Sequence, residues 1–272
     1  MADFKHILYQ KADDVGRITL NRPKYRNAQS WSFLGELDQA FRLGEQDDDV
    51  KVIVLGANGP SFSAGHDLGT PEALEEEAAA KTKPGVEGRY NREAEIYLGY
   101  CLRWRDIPKP TIAMVHGHCI AGGLMLAWPC DLIIAADDAT FADPVLRMGA
   151  ASVEYFAHPW ELGFRKAKEF LFTGDPIDAQ EAYRLGMVNR VVPRAKLEEE
   201  TLALAGRIAK MPPFGLAMAK AAVNQTLDMM GQRNAMNAVF SIHHLTHAHN
   251  AETGSTAVTG TPEEKLKKMQ GR

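Results

Sequence analysis

Two stretches decide the fold of this 272-residue chain: Phe62-Ser63-Ala64-Gly65-His66-Asp67-Leu68 and His116-Gly117-His118-Cys119-Ile120-Ala121-Gly122-Gly123. Each is a strand-like run that breaks into a glycine turn and continues with residues suited to a helix start. Such a turn leaves backbone N–H groups without a partner. Two of these groups aimed at one point hold an oxygen that becomes negative during a reaction. The two stretches therefore predict an oxyanion hole built from backbone.

The composition excludes several classes of protein. A net charge of -4 gives no basic footprint for nucleic acid. The three cysteines, Cys101, Cys119 and Cys130, are too few for a disulfide framework and predict reduced thiols. The sequence contains neither a signal-peptide pattern nor an apolar run of the roughly 20 residues that a membrane span needs. We therefore expect a cytoplasmic protein without nucleic-acid partners and without a membrane span.

Short strand patterns alternate with helical ones over the first two thirds of the chain. Val15–Leu20, Lys51–Leu55, Thr111–Val115 and Leu132–Ala136 read as strands. Trp31–Leu43 reads as a helix, because its apolar residues fall on one face: Phe33, Leu34, Leu37, Ala40 and Phe41. Strand, crossover helix and strand in this order predict an α/β fold with a largely parallel core.

The last third of the chain has a different organisation. We expect a core domain over residues 1–195 and a C-terminal helical subdomain over residues 196–272. The subdomain is predicted to contain three helices: Leu197–Lys210, Pro213–Met230 and Gln232–His247. The segment 69–105, which follows the first glycine turn, is either a mobile lid or pocket wall or a surface helix pair.

Further motifs, taken with the glycine turns, identify a family. In chain order they are Asn21-Arg22-Pro23-Lys24 with Asn27-Ala28, the two glycine turns, Cys130-Asp131-Leu132-Ile133-Ile134-Ala135, Phe172-Thr173-Gly174, Ala179-Gln180-Glu181-Ala182 and Leu185-Gly186-Met187-Val188-Asn189. Their order and spacing resemble the crotonase superfamily, the enoyl-CoA hydratase/isomerase group. The resemblance extends over most of the chain.

The resemblance implies a spiral of ββα turns whose C-terminal helices form trimers and part of the coenzyme A site. It implies a homotrimer or a dimer of trimers, an acyl-CoA thioester as substrate and no permanently bound cofactor. The thioester oxygen would accept hydrogen bonds from the backbone N–H groups of His66 and Gly122. The residues that would contact coenzyme A are Lys24, Arg26, Ala64, His66, Asp67, Leu68 and Gly122.

The acid/base residues depart from the family pattern. Met125 and Val145 stand where typical hydratases carry two glutamates, and neither side chain can move a proton. Glu154 and Asp143 are the candidates to replace them. Glu154 lies among apolar residues, where desolvation suits a carboxyl group to proton transfer. The alternative interpretation is a surface glutamate that caps a nearby helix.

The histidines and the lysine tail leave alternatives open. The imidazole of His66 either contacts the substrate and titrates, or packs beside coenzyme A. The histidine group of the C-terminal part has a pattern typical of a metal site and consists of His243, His244, His247 and His249. His243 and His247 are four residues apart and would share a helix face. No third ligand lies nearby in sequence, so we expect no metal site and interpret the group as a polar helix end or subunit contact. Lys265 and Lys267 either reach the adenine of coenzyme A or form a solvated tail.

Three functions fit these observations. The leading one is hydration or double-bond isomerisation of an enoyl-CoA, with Glu154 as the proton relay. The second is decarboxylation or hydrolysis of an acyl-CoA, of which decarboxylation needs the oxyanion hole without two glutamates. The third is a non-catalytic acyl-CoA-binding protein that has kept the fold and lost its acid/base pair.

Overall fold

The computed structural model describes residues 4–81 and 83–254. Its nine strands are β1 (Ile7–Ala12), β2 (Val15–Leu20), β3 (Val52–Ala57), β4 (Thr111–Val115), β5 (His118–Ile120), β6 (Leu132–Ala136), β7 (Thr140–Ala142), β8 (Ile177–Asp178) and β9 (Arg190–Val192) within those described ranges. The predicted strands are therefore confirmed, with β3 displaced by one residue at its start and two at its end.

The helices lie singly or in groups of two or three between and after the strands. They are α1 (Trp31–Gln46), α2 (Pro71–Ala79), α3 (Gly85–Glu93), α4 (Tyr100–Asp106), α5 (Leu124–Ala127), α6 (His158–Leu162), α7 (Phe164–Thr173), α8 (Ala179–Leu185), α9 (Leu197–Ala209), α10 (Pro213–Met229) and α11 (Gln232–Thr253). A wide π-helical segment, Ala94–Gly99, joins α3 to α4. Short 3-10 turns span Pro23–Tyr25, Ala121–Gly123, Pro144–Met148 and Arg194–Lys196.

Two sheets organise the core. The larger sheet has the strand order β1-β2-β3-β4-β6-β9 and is parallel except for the β1–β2 pair. The smaller sheet has the order β5-β7-β8. Since β4 and β6 are each followed at once by a strand of the smaller sheet, the chain winds in turns of two strands and a helix. This confirms the predicted α/β spiral.

Helix α1 packs on the inner face of the larger sheet. Its predicted apolar face is buried, and Ser30 caps its start by accepting a hydrogen bond from the Phe33 N–H. An N-cap of this kind stabilises a helix by about 1 kcal/mol. The periodicity of the sequence thus placed this helix and its buried side correctly.

The C-terminal helices do not form one layer. Helix α9 covers the outer face of the larger sheet, where Leu197 and Ala205 pack with Val52 and Val54. Helix α10 contributes no buried residue, whereas α11 returns to the core through Met236 and Phe240. A division of the chain at residue 195/196 stays a prediction.

The segment 69–105 forms one wall of the main cavity, through α2, α3 and the π-helical segment. Among the described residues, no helix has both the length and the apolarity to cross a membrane. Lys265 and Lys267, with their two alternative roles, lie outside the described residues.

Candidate active site

The two glycine turns lie against each other. Ser63 forms a parallel bridge with Cys119, and the Ile120 N–H donates to the Ser63 carbonyl over 3.0 Å. Gly65 has φ +91°, and a Cβ at this residue would lie 2.8 Å from the Ile120 carbonyl oxygen. A Cβ at Gly123 would lie 2.7 Å from the Ser63 carbonyl oxygen. Backbone therefore packs directly on backbone, which explains the glycines.

Two backbone N–H groups lie at this contact between the turns, one from His66 and one from Gly122. Within residues 4–81 and 83–254, neither the N–H of His66 nor that of Gly122 has a hydrogen-bond acceptor. The flanking groups are occupied: the Gly65 N–H donates to Ser63 Oγ and the Asp67 N–H to the Gln29 carbonyl. Gly122 lies in the first turn of the helix that leads into α5, where N–H groups are free and anions are favoured.

Glu154 is joined to the first turn through His66. His66 Nε2 lies 3.1 Å from Glu154 Oε2, and the imidazole stacks on the Tyr97 ring with centroids 4.0 Å apart. Glu154 is 4% exposed, so it is not a surface cap. Its other oxygen, Oε1, lies 3.5 Å from His243 Nε2. The fold thus brings Glu154 and His66 together, although 87 residues separate them in sequence.

The electrostatics of the Glu154–His66 pair favour the charged form of each side chain. Burial raises the pKa of the Glu154 carboxyl, but the His66 and His243 imidazoles outweigh burial and hold that pKa at about 2. Burial lowers the pKa of His66, and the adjacent Glu154 carboxylate overcomes this and raises it. Glu154 is therefore a carboxylate at neutral pH, with an imidazole beside it that binds a proton more tightly than usual.

His66 Nδ1 faces the second glycine turn. It is buried and has no hydrogen-bond partner in the described part of the chain. A Cβ built on Gly122 would lie 2.9 Å from it. When His66 is protonated, this Nδ1–H is an unused donor beside the two free backbone N–H groups.

Sequence reasoning missed the second group of ionisable residues in the cavity. Glu93, the last residue of α3, is buried beside α11, with its Oε2 3.4 Å from His244 Nε2 and 4.0 Å from His243 Nε2. Burial and the charge of Glu154 raise the pKa of Glu93 to about 8. The paired histidines were the available signal, but nothing local in the sequence connects them to Glu93.

The histidines of α11 form part of the site wall. His243 is 3% exposed and its Nδ1–H donates to the Ser152 carbonyl over 2.7 Å. His247 Nε2 lies 2.8 Å from His243 Nε2, and Arg89 donates to His247 Nδ1. For His243 the interpretation as a polar helix end was wrong, because α11 folds back and carries this side chain into the cavity. A subunit contact through the other histidines of the group stays a prediction.

The residues expected to contact coenzyme A have three different placements. Asp67 and Leu68 line the cavity beside His66. The Asp67 carboxylate is occupied by a buried ion pair with Arg22, 2.5 Å away, and by hydrogen bonds from Thr70. Ala64 is half-buried and its N–H donates to the carbonyl of Arg26. Lys24 and Arg26 are exposed on the adjoining 3-10 turn, outside the cavity lining.

The structure does not bring Asp143 to the cavity. Its side chain is fully buried and accepts hydrogen bonds from His158 Nε2 at 2.9 Å and from the Val153 N–H at 3.1 Å. These bonds fix the loop that presents Glu154. Of the two positions without a glutamate, Val145 lines the cavity and Met125 is buried behind it.

Comparisons with known proteins found relatives in sequence and in structure. The family model described as enoyl-CoA hydratase/isomerase matches residues 10–267. A Mycobacterium tuberculosis protein whose name reads enoyl-CoA hydratase EchA13 is 48% identical, over 96% of this chain and 87% of its own.

Two solved mycobacterial structures are similar in fold and sequence. One, from Mycobacterium smegmatis and described as an enoyl-CoA hydratase, has a TM-score of 0.86 and 51% identity, covering 92% of this chain and 98% of its own. The other, from Mycobacterium thermoresistibile, has a TM-score of 0.85 and 53% identity, covering 91% and 99%.

Proposed function

This chain belongs to the enoyl-CoA hydratase/isomerase family, and on that premise we propose that it polarises an acyl-CoA thioester between the backbone N–H groups of His66 and Gly122. The support is that both groups lack an acceptor within the described part of the chain and lie on turns packed against each other. Donors fixed in this way cost no reorganisation when an enolate forms. The reaction we propose is hydration or double-bond isomerisation of an enoyl-CoA.

Glu154 is the proposed base, with His66 as its partner. In hydration, the carboxylate takes a proton from the water that adds to C3, and C2 of the enolate gains a proton. In isomerisation, the Glu154 carboxylate takes the proton from C2 of a 3-enoyl ester, and a proton is returned at C4. The observation that carries this proposal is the 3.1 Å contact between His66 Nε2 and Glu154 Oε2 beside the glycine turns. One carboxylate–imidazole pair then does the work of two glutamates.

Product analysis tests this proposal. The purified chain is incubated with 2-enoyl-, 3-enoyl- and malonyl-type CoA esters, and the products are identified by mass spectrometry. Glu154→Gln keeps the shape and removes the base, whereas Glu169→Gln alters only a surface ion pair with Lys166 and is the matched control. We expect a water adduct or a shifted double bond that is lost in Glu154→Gln and kept in Glu169→Gln.

Two other results would replace the proposal by one of its alternatives. Loss of CO₂ or release of free coenzyme A, unaffected by Glu154→Gln, would identify a decarboxylase or hydrolase. Binding of every ester without turnover, equal in both variants, would identify a non-catalytic acyl-CoA-binding protein.

We propose that the bound coenzyme A moiety extends out of the cavity along the 3-10 turn at Pro23–Tyr25. Lys24 and Arg26 are exposed there and would meet its phosphates. Lys24→Ala should raise KM with little change in kcat, and the effect should weaken as salt is added. A permanently bound cofactor has no part in this scheme, and a cytoplasmic location stays a prediction.

We also propose that the chain assembles as a homotrimer or a dimer of trimers. Helix α10 exposes large apolar side chains, including Phe214, Met218 and Val223. Exposed apolar surface of this kind marks an interaction site. Sedimentation-velocity analysis of the purified chain distinguishes trimer and hexamer from monomer.

A further inference from the structure

We propose that Glu93, His243 and His244 form a binding site for a divalent transition metal ion such as Zn²⁺. The three potential ligand atoms, one carboxylate oxygen and two ring nitrogens, all lie within 4.8 Å of one another. Ligands at about 2.0–2.2 Å from a tetrahedral zinc lie roughly 3.4 Å apart. The observed separations of 3.4 Å and 4.0 Å from Glu93 Oε2 to the two imidazoles are close to this value.

Unsatisfied buried atoms are the second observation. Glu93 Oε2 and both ring nitrogens of His244 have no hydrogen-bond partner among the described residues. Their side chains belong to residues that are 9% and 4% exposed. A buried polar atom without a partner costs about 1–3 kcal/mol. A cation between Glu93 Oε2 and His244 Nε2 would satisfy one atom of each residue.

His243 is held in the orientation typical of a metal ligand. Its Nδ1–H donates to the Ser152 carbonyl, so Nε2 is the ring nitrogen that faces the cluster. A ligating histidine usually donates its other ring N–H to a carbonyl or a carboxylate in this way. The orientation does not depend on the cation, and the site is therefore largely pre-formed.

His247 is not part of the proposed ligand set. Arg89 can only donate, so its bond to His247 Nδ1 leaves the ring proton on Nε2. The His247 Nε2–H then donates a hydrogen bond to His243 Nε2, 2.8 Å away. A metal ion at His243 Nε2 would replace this hydrogen bond and the 3.5 Å contact of the same nitrogen with Glu154 Oε1.

Charges of both signs surround the cluster, because Arg89 and Arg92, as well as Glu154, lie near Glu93. Glu154 Oε1 lies 3.5 Å from His243 Nε2, so a second carboxylate borders the site. Glu93 and His243 also line the cavity, which gives the ion a path from solvent and an open coordination position. A mixed set of imidazoles and carboxylate suits zinc and its neighbours better than calcium or magnesium.

Direct metal binding tests the inference independently of any enzymatic activity. The full chain is stripped with a chelator, titrated with ZnCl₂ by calorimetry and assayed for zinc content after dialysis. Glu93→Gln and His244→Ala remove one ligand each, and the His244 ring nitrogens have no other hydrogen bond to lose. His249→Ala, on an exposed part of the same helix, is the matched control.

We expect one equivalent of zinc in the wild type and in His249→Ala, and at least a tenfold weaker binding in Glu93→Gln and His244→Ala. Zinc-edge X-ray absorption of the wild-type complex should show two imidazole ligands at about 2.0–2.1 Å, which keeps the test valid if a variant fails to fold. Absence of stoichiometric binding in the wild type, equal binding in all variants, or a spectrum without two imidazoles would overturn the inference.

Discussion

The contact between the two glycine turns makes Gly65→Ala the sharpest test of the backbone oxyanion hole. The new Cβ would lie 2.8 Å from the Ile120 carbonyl oxygen and 3.1 Å from the Gly122 nitrogen, where ordinary contact begins at 3.4 Å. The two turns must therefore separate by about half an ångström. Oxyanion donors act at about 2.7–3.1 Å from the developing charge, so a displacement of this size removes most of the benefit of one donor.

The expected loss can be given a magnitude. Removing one oxyanion donor costs on the order of 10²–10³ in kcat, or about 2.7–4 kcal/mol. Independently, an L-residue at φ +91° costs about 1–2 kcal/mol of folding free energy. Gly65→Ala should thus lower kcat by about a hundredfold and the melting temperature by a few degrees.

Gly186→Ala is the matched control, because it carries the backbone strain without the collision. Gly186 has φ +87°, and a Cβ there would meet no atom within 4 Å. The assay is steady-state turnover of the CoA ester that the chain processes, with thermal unfolding measured in parallel. We expect both variants to lose stability, Gly65→Ala more because of the collision, and only Gly65→Ala to lose turnover. Turnover of Gly65→Ala within threefold of Gly186→Ala would refute the reasoning.

Three further predictions follow from the buried ion pairs and from α10. The pKa of Glu154 is about 2 and that of His66 is raised, so kcat should fall as pH rises through the His66 pKa, which lies above the ordinary value for an imidazole. A pH–rate profile with an alkaline limb that persists in His66→Asn would contradict this. Asp67→Asn should cost about 1–3 kcal/mol of unfolding free energy in urea, because the buried Arg22 loses one of its two carboxylate partners and keeps only Glu72. The lowered pKa of Asp67 stabilises the wild type above the unfolded-state pKa of about 4 and not in acid, so the two proteins should converge as pH falls. Phe214→Glu on α10 should shift the sedimentation coefficient from that of a trimer or hexamer towards that of a monomer, with the circular dichroism spectrum unchanged. An unaltered sedimentation coefficient would exclude α10 from the interface.

Local patterns carried most of the fold. The helix at Trp31–Gln46 follows from its apolar period and its Ser30 cap, and the parallel strands follow from short apolar runs. The two glycine turns could be recognised from sequence for a similar reason. Where one backbone packs directly against another, only glycine fits. Interactions of this kind are fixed by neighbours in sequence or by sterics alone.

The polar part of the site could not be derived in this way. The Glu93–His243 contact depends on α11 folding back onto α3, which no periodicity encodes. Asp143 was a candidate because it is close in sequence to Val145, yet only Val145 faces the cavity. Closeness along the chain does not fix the direction of a side chain in an irregular turn. Glu154 was found because its apolar neighbours predicted burial.

The number of residues in the π-helical segment Ala94–Gly99 determines how α3 is rotated relative to α4. Helix α4 is anchored independently, since Trp104 Nε1 donates to Asp38. Deleting one residue to restore an ordinary helix would rotate everything before it by about 100° relative to that anchor. The core would survive, but Glu93 would turn away from the histidines of α11. Insertion or deletion of a single codon here could therefore create or remove the whole cluster while the rest of the sequence stays the same. A substitution, by contrast, changes one side chain at a time.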